Sequence, residues 1–285
     1  ILSTLEGHLL GGDVLVPFFM DLEVHLRFLL AVPLFVIAEL VVHKRMSPLI
    51  DQFLERELIS KDDMPSFKSA IASALRLRNS ILAEVLLILI VYFFGIMVIW
   101  RQFVLMESST WFAKVSGDIT ELSLAGKWFA YVSLPFFQFL MIRWYFRLFI
   151  WARFLWQVSR VELRLIPTNP DRAGGLGFIS NIVYAFVPLA MAHGVLLAGL
   201  LANRIFYTGA KLTDFKMEIA TLVLFLLVLI VGPLLFFVPQ LLNTKRKGLR
   251  EYGSLAQRYD REFDDKWLRG GASADEKLMG SADIQ

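Results

Sequence analysis

The chain has 285 residues, 56% of them hydrophobic and 14% aromatic, with net charge +3 and no cysteine. Soluble domains carry about 45–50% apolar residues, so this composition, with mean hydropathy +0.59, argues against an ordinary soluble globule. The lack of cysteine excludes disulfides and thiolate metal sites.

Several apolar runs reach the roughly 20 residues that cross a ~30 Å hydrocarbon core as a helix. The expected class is therefore all-α: a polytopic helical membrane protein with five transmembrane helices and additional amphipathic cytoplasmic helices.

In chain order, residues 1–20 are broken by Gly11 and Gly12 and are too interrupted to span; they are expected at the interface or packed on the bundle. The first span covers about 24–42, with Pro33 expected to kink it and Glu39 and His43 near its end. Residues 43–79 are polar and basic. Within them Leu49, Ile50, Phe53, Leu54 and Leu58, then Phe67, Ala70, Ile71, Ala74 and Leu75, recur at helical spacing. They predict two short amphipathic helices split near Lys61–Pro65, the second running straight into the next span. That span is 80–100, with Glu84 in its first turns.

Residues 101–126 form a loop whose apolar positions, Trp111, Phe112, Val115, Ile119 and Leu122, predict a short surface helix. The third span, read as one helix from Lys127 to Val161, is roughly 50 Å long at ~1.5 Å per residue. Its last turns must then tilt or project from the core. The fourth span is 178–203, with Asn181, Pro188 and His193 inside it, and the fifth is 217–242, with Gly232, Pro233 and Pro239. Beyond a basic cluster at Lys245, Arg246, Lys247 and Arg250, the residues Leu249, Tyr252, Leu255, Tyr259, Phe263 and Trp267 fall on one helical face. The expected organisation is a membrane domain over 1–243, including a cytoplasmic hairpin over about 44–79, an amphipathic helix over 244–269 and a disordered tail over 270–285.

Basic residues set the orientation. One side of the membrane receives Lys44, Arg45, Arg56, Lys61, Lys68, Arg76, Arg78, Arg160, Arg164, Arg172 and the C-terminal cluster, and the other receives few. The positive-inside rule places the N-terminus outside and the C-terminus in the cytoplasm. The positive charge is thereby assigned to topology and anionic lipid rather than to nucleic acid. No internal repeat is visible, which weakens a secondary-transporter reading.

The candidate chemistry gathers around the third span. Arg143, Arg147, Arg153, Arg160 and Arg164, placed on one helix at about 100° per residue, share a sector of roughly 140°. They read either as an electropositive lining or as interfacial charges paired with carboxylates. Glu39 and Glu84 lie at similar depth and read either as partners of Arg143 or Arg147 in a buried charge network or as two glutamates reaching the interface separately. His193, near the middle of the fourth span, reads as a relay or, more simply, as a histidine bonded between helices. The loop PDRAGGLGF, with Asp171, Arg172, Gly174, Gly175 and Gly177, precedes a helix N-terminus and reads as an anion loop or as a tight re-entry turn. It lacks both nucleotide-binding fingerprints.

PDRAGGLGF, together with DLEVHLRFLLAVPLFVIAELVVHKR, resembles a family of polytopic bacterial inner-membrane proteins to which no activity is assigned. The resemblance covers most of the chain and implies a bacterial inner-membrane location, with nothing on mechanism. From the residues themselves, the expected function is an oligomeric ion channel or pore with weak anion preference. The alternative is a non-transporting scaffold or sensor that binds a protein partner or anionic lipid through its cytoplasmic helices. Expected partners are membrane lipids, further copies of the chain and a cytoplasmic protein; no cofactor, metal or catalytic set is expected.

Overall fold

A computed structural model describes residues 2–11, 14–95, 97, 110–116 and 119–271. The architecture is all-α apart from one small hairpin. Six long helices carry it: α1 (Leu22–Glu55), α2 (Met64–Arg78), α3 (Ile81–Gly95), α4 (residues 124–158), α5 (Gly177–Thr208) and α6 (Leu212–Leu268). By length and composition α1, α5 and α6 can cross a membrane, and α2 with α3 adds a fourth if that bent pair is one span. These helices are consistent with a membrane protein. Helix α4 is long enough, but Gln138, Arg143, Arg147 and its tryptophans and tyrosines lower its hydropathy, so it is not among them. The end of the expected second span and most of the expected tail, at 98–109 and 272–285, lie outside the described residues.

Proline decides where these helices change their winding. Proline has no N–H and crowds the carbonyl four residues earlier, so it is tolerated in a first turn. Pro33, Pro135, Pro188 and Pro239 each sit at the second residue of a fresh α-segment. The turn before Pro33 is π-wound over Leu26–Ala31, and that before Pro135 is π-wound over Phe129–Ser133. The turns before Pro188 and Pro239 are 3₁₀, over Asn181–Phe186 and Gly232–Phe237. The kink expected at Pro33 is thus taken up by one re-wound turn, and a re-wound turn likewise precedes each of the other three prolines.

Four expectations need correction. First, α1 does not stop at the membrane boundary: it runs on through Pro48 to Glu55, so the first amphipathic helix is its continuation. Its inward face stays apolar, and Phe53, fully buried, meets Phe67 and Phe178 edge to face or tilted. Glu57, with φ of 51°, ends it. Second, α2 does not run straight into α3. The chain bends by 49° at Asn79–Ser80, where the Ser80 hydroxyl accepts from the Ala83 amide at 3.2 Å and starts a new helix.

Third, the expected surface helix near 111–122 is an antiparallel hairpin, β1 (Ala113–Ser116) with β2 (Ile119–Leu122). Val115, Ile119 and Thr120 are β-branched and suit a strand. Fourth, α4 ends at Val158. Arg160 and Arg164 therefore lie in the following turn and loop, and the five-arginine helical face does not form. Beyond Val158 the chain is held by other means: the Gln240 amide donates to the carbonyls of Ser159 and Val161, and the Arg164 amide to Leu58.

The core lies between α1, α2, α4 and α5. Phe35, Phe53, Phe67, Leu148, Leu155, Val158, Phe186 and Leu189 are its fully buried side chains. Within a bilayer, apolar burial adds little, because lipid is as apolar as leucine; close packing and polar links between helices hold the bundle instead. Gly199 on α5 lets the backbone of α1 approach: a Cβ there would lie 3.1 Å from Glu23 Cα. The Trp144 indole donates across to the Phe35 carbonyl at 3.0 Å. The N-terminal segment packs on the bundle, because the Glu6 carboxylate accepts the Leu124 and Ala125 amides at the start of α4.

Candidate functional site

Arg143 and Arg147 stand one turn apart on α4, and the structure pairs both with the glutamates of the charge-network reading. Arg147 Nη2 donates to Glu39 Oε1 at 2.6 Å. Arg143 reaches Glu39 Oε2 at 3.8 Å and Glu84 Oε1 at 3.4 Å. Glu39 thus bridges both arginines, and the four side chains join α1, α3 and α4. Arg147 also lies over the Trp144 ring, 5.5 Å from its centroid, which stacks its planar cation and fixes its direction. Two cations matched by two carboxylates leave no net charge in this network.

The network forms one wall of a cleft of ≈ 610 Å³. The other walls are apolar: Leu49, Ile50, Ile71 and Phe154 line it, with Arg78 and His43 beside them. The buried Trp151 also lines it, and its indole nitrogen has no hydrogen-bond partner.

His193 lies away from this cleft. Its Nδ1 is 2.8 Å from the Leu189 carbonyl, which can only accept, so Nδ1 carries the proton. Nε2 of the neutral ring then accepts from the Tyr145 hydroxyl at 2.8 Å. Phe35 stands edge-on to the imidazole at 5.8 Å. Both ring nitrogens are therefore satisfied by one bond within α5 and one bond to α4, the arrangement of a helix-to-helix tie.

The loop before α5 is organised by its own acid. The Asp171 carboxylate accepts from the amides of Ala173 at 2.9 Å, Gly175 at 3.1 Å and Gly177 at 2.8 Å. Burial alone would raise its pKa, but these amides, with the nearby Arg56 guanidinium, hold it below the usual aspartate value. The amides that could have cradled an external anion are thus occupied from within. Gly174 and Gly175 take φ of 64° and 102°, a region that a side chain resists. Arg172 takes φ of 56° and points to solvent. Arg56 closes the turn by donating to the Gly175 carbonyl at 3.2 Å while stacking over Phe178 at 4.9 Å. The re-entry turn is therefore the geometry found at Asp171, Arg172, Gly174, Gly175 and Gly177.

A second polar cluster was not anticipated from sequence. Asp21 is buried at 4% exposure. It accepts from the Val24 amide at 3.2 Å, the Asn203 amide group at 2.8 Å and the Trp111 indole at 2.9 Å. It therefore caps α1 while holding the end of α5 and the hairpin. Its sequence signal is a lone aspartate immediately before an apolar helical run. Glu6 acts similarly on α4. Burial would raise its pKa, but the Leu124 and Ala125 amides, the Ser123 hydroxyl and His8 together hold it below the ordinary glutamate value.

Among the described residues no group of three or more metal-ligating side chains comes together. Comparisons with protein-family models, curated proteins and solved structures give no match.

Proposed function

We propose that this protein is a non-transporting scaffold or sensor of the bacterial inner membrane, with five spans, its N-terminus outside and its C-terminus in the cytoplasm. It holds a cytoplasmic protein partner on the extended end of α6. The carrying observation is the length and exposure of that helix. At ~1.5 Å per residue, its 57 residues extend about 85 Å, against a core of ~30 Å. Lys245, Arg246, Lys247 and Arg250 mark the level where it leaves anionic lipid. From there on, Leu249, Tyr252 and Leu255 are 67%, 47% and 62% exposed. A helix continuing out of its own span cannot lie flat on the membrane it leaves, so this stripe favours a protein surface over lipid.

The pore reading stands second. Its support in sequence was the reading of five arginines on one helix as an electropositive lining, whereas Arg143 and Arg147 are paired and Arg160 and Arg164 are off the helix. The scaffold reading is tested by purifying the full chain from its own membranes beside a Leu249→Asp, Leu255→Asp variant. A partner present in fixed ratio with the parent chain and lost from the variant supports it. Equal recovery of the same proteins with both chains contradicts it.

A further inference from the structure

Two cations of α1, Lys44 and Arg45, have no carboxylate within ion-pairing distance among the described residues. They line a cleft of ≈ 520 Å³ between α1 and the start of α5, and no acidic side chain is among its lining residues. Asn181 and Gln52 also line it, with Val41 and Ile182 as apolar walls. Gln52 Oε1 is buried and accepts no hydrogen bond. Pro48, also in the lining, lies inside α1 and cannot supply the helical hydrogen bond to the Lys44 carbonyl. The cleft thus combines two unneutralised cations with one buried acceptor, Gln52 Oε1, that needs a donor.

Its depth follows from helix geometry. Asp21 and Asn203 are bonded at one end of the α1–α5 pair. Lys44 lies 23 residues beyond Asp21 and Asn181 lies 22 before Asn203, so both fall about 33–35 Å away at ~1.5 Å per residue. That is the thickness of a hydrocarbon core. The cleft is therefore at headgroup level, with its apolar walls turned towards the acyl region.

We propose that this cleft binds the phosphate of an anionic phospholipid with a hydroxyl-bearing headgroup. Lys44 and Arg45 hold the phosphate, and Gln52 accepts from the headgroup hydroxyl. The proposal rests on the membrane reading above but not on the partner of α6. Its ligand chemistry is a phosphate, which free inorganic phosphate shares, so the test separates the two.

The experiment is native mass spectrometry of the full chain in mild detergent, titrated in turn with phosphatidylglycerol, phosphatidic acid, phosphatidylcholine and inorganic phosphate. The parent chain retains phosphatidylglycerol in preference to phosphatidylcholine. Each interfacial cation contributes about fivefold to anionic-lipid affinity, so Lys44→Ala, Arg45→Ala weakens it roughly 30-fold. Arg258→Ala, Arg261→Ala, far along the extended end of α6 and away from the headgroups, leaves it unchanged. Gln52→Leu lowers phosphatidylglycerol retention and spares phosphatidic acid, which has no headgroup hydroxyl. Lys44 and Arg45 are exposed, so their removal leaves the fold intact, and unchanged unfolding temperatures verify it. Equal retention by Lys44→Ala, Arg45→Ala and the parent chain overturns the proposal. So does retention of inorganic phosphate at the affinity of the lipid, which would make the lipid incidental.

Discussion

Replacing Asp171 by alanine removes the acceptor for three backbone amides of the turn before α5. Hydrogen bonds to a charged group contribute ~1.5–3 kcal/mol each. The lower figure gives about 4–5 kcal/mol in total. Water reaches this half-buried carboxylate and recovers about half of that, leaving roughly 2–3 kcal/mol. For a chain of this size the corresponding fall in melting temperature is about 5–10 °C. Asparagine keeps one oxygen, which can serve Ala173 and Gly175 as Oδ1 does now while losing Gly177, so Asp171→Asn falls between the two. The assay is thermal unfolding of the three proteins in one detergent.

The pH dependence gives a second reading of the same group. The folded pKa lies below the ordinary aspartate value, so the carboxylate contributes stability above the unfolded pKa, near 4. That stability is lost as pH falls through the folded pKa. The parent chain should therefore lose its advantage over Asp171→Asn below about pH 4. An Asp171→Ala protein that melts with the parent at pH 7 would refute the internal-anion account of the turn.

Glu39→Gln and Arg147→Met, combined in a double-mutant cycle by denaturant unfolding, should couple by about 1–2 kcal/mol, and Glu84→Gln with Arg143→Met by less, since that pair is longer. Tyr145→Phe leaves the buried His193 Nε2 without its donor and should cost about 1–2 kcal/mol in the same assay. Gly199→Leu places a side chain against Glu23 and Leu26 and should cost about 1–3 kcal/mol by forcing α1 from α5; a neutral result would mean that the two helices are not in close contact.

The long helices were legible because composition and apolar run length report directly on what a bilayer accepts. The pairing of Arg143 and Arg147 with Glu39 and Glu84 was legible as one of two readings: a charge on an apolar helix calls for a counter-charge, but sequence alone did not separate that from two glutamates reaching the interface. Helix limits were less legible. Between Val42 and Leu49 only Pro48 opposes a helix, yet α1 runs through it, and the basic residues there mark a membrane boundary without marking a structural one. The residues near 111–122 were read as a short helix, although Val115, Ile119 and Thr120 suit strands equally; five apolar positions cannot separate the two periods. Asp21 was missed because its partners, Trp111 and Asn203, are 90 and 182 residues away, and no local pattern joins them.

From the pairing of the α4 arginines we propose that this chain does not conduct, and that proposal can be measured directly. The measurement is ion flux from liposomes carrying the purified protein, beside Arg143→Ala and Arg143→Glu. The account predicts no flux above protein-free liposomes for the parent or either variant. Flux through the parent that changes in rate or anion selectivity with Arg143 would contradict it and restore the pore.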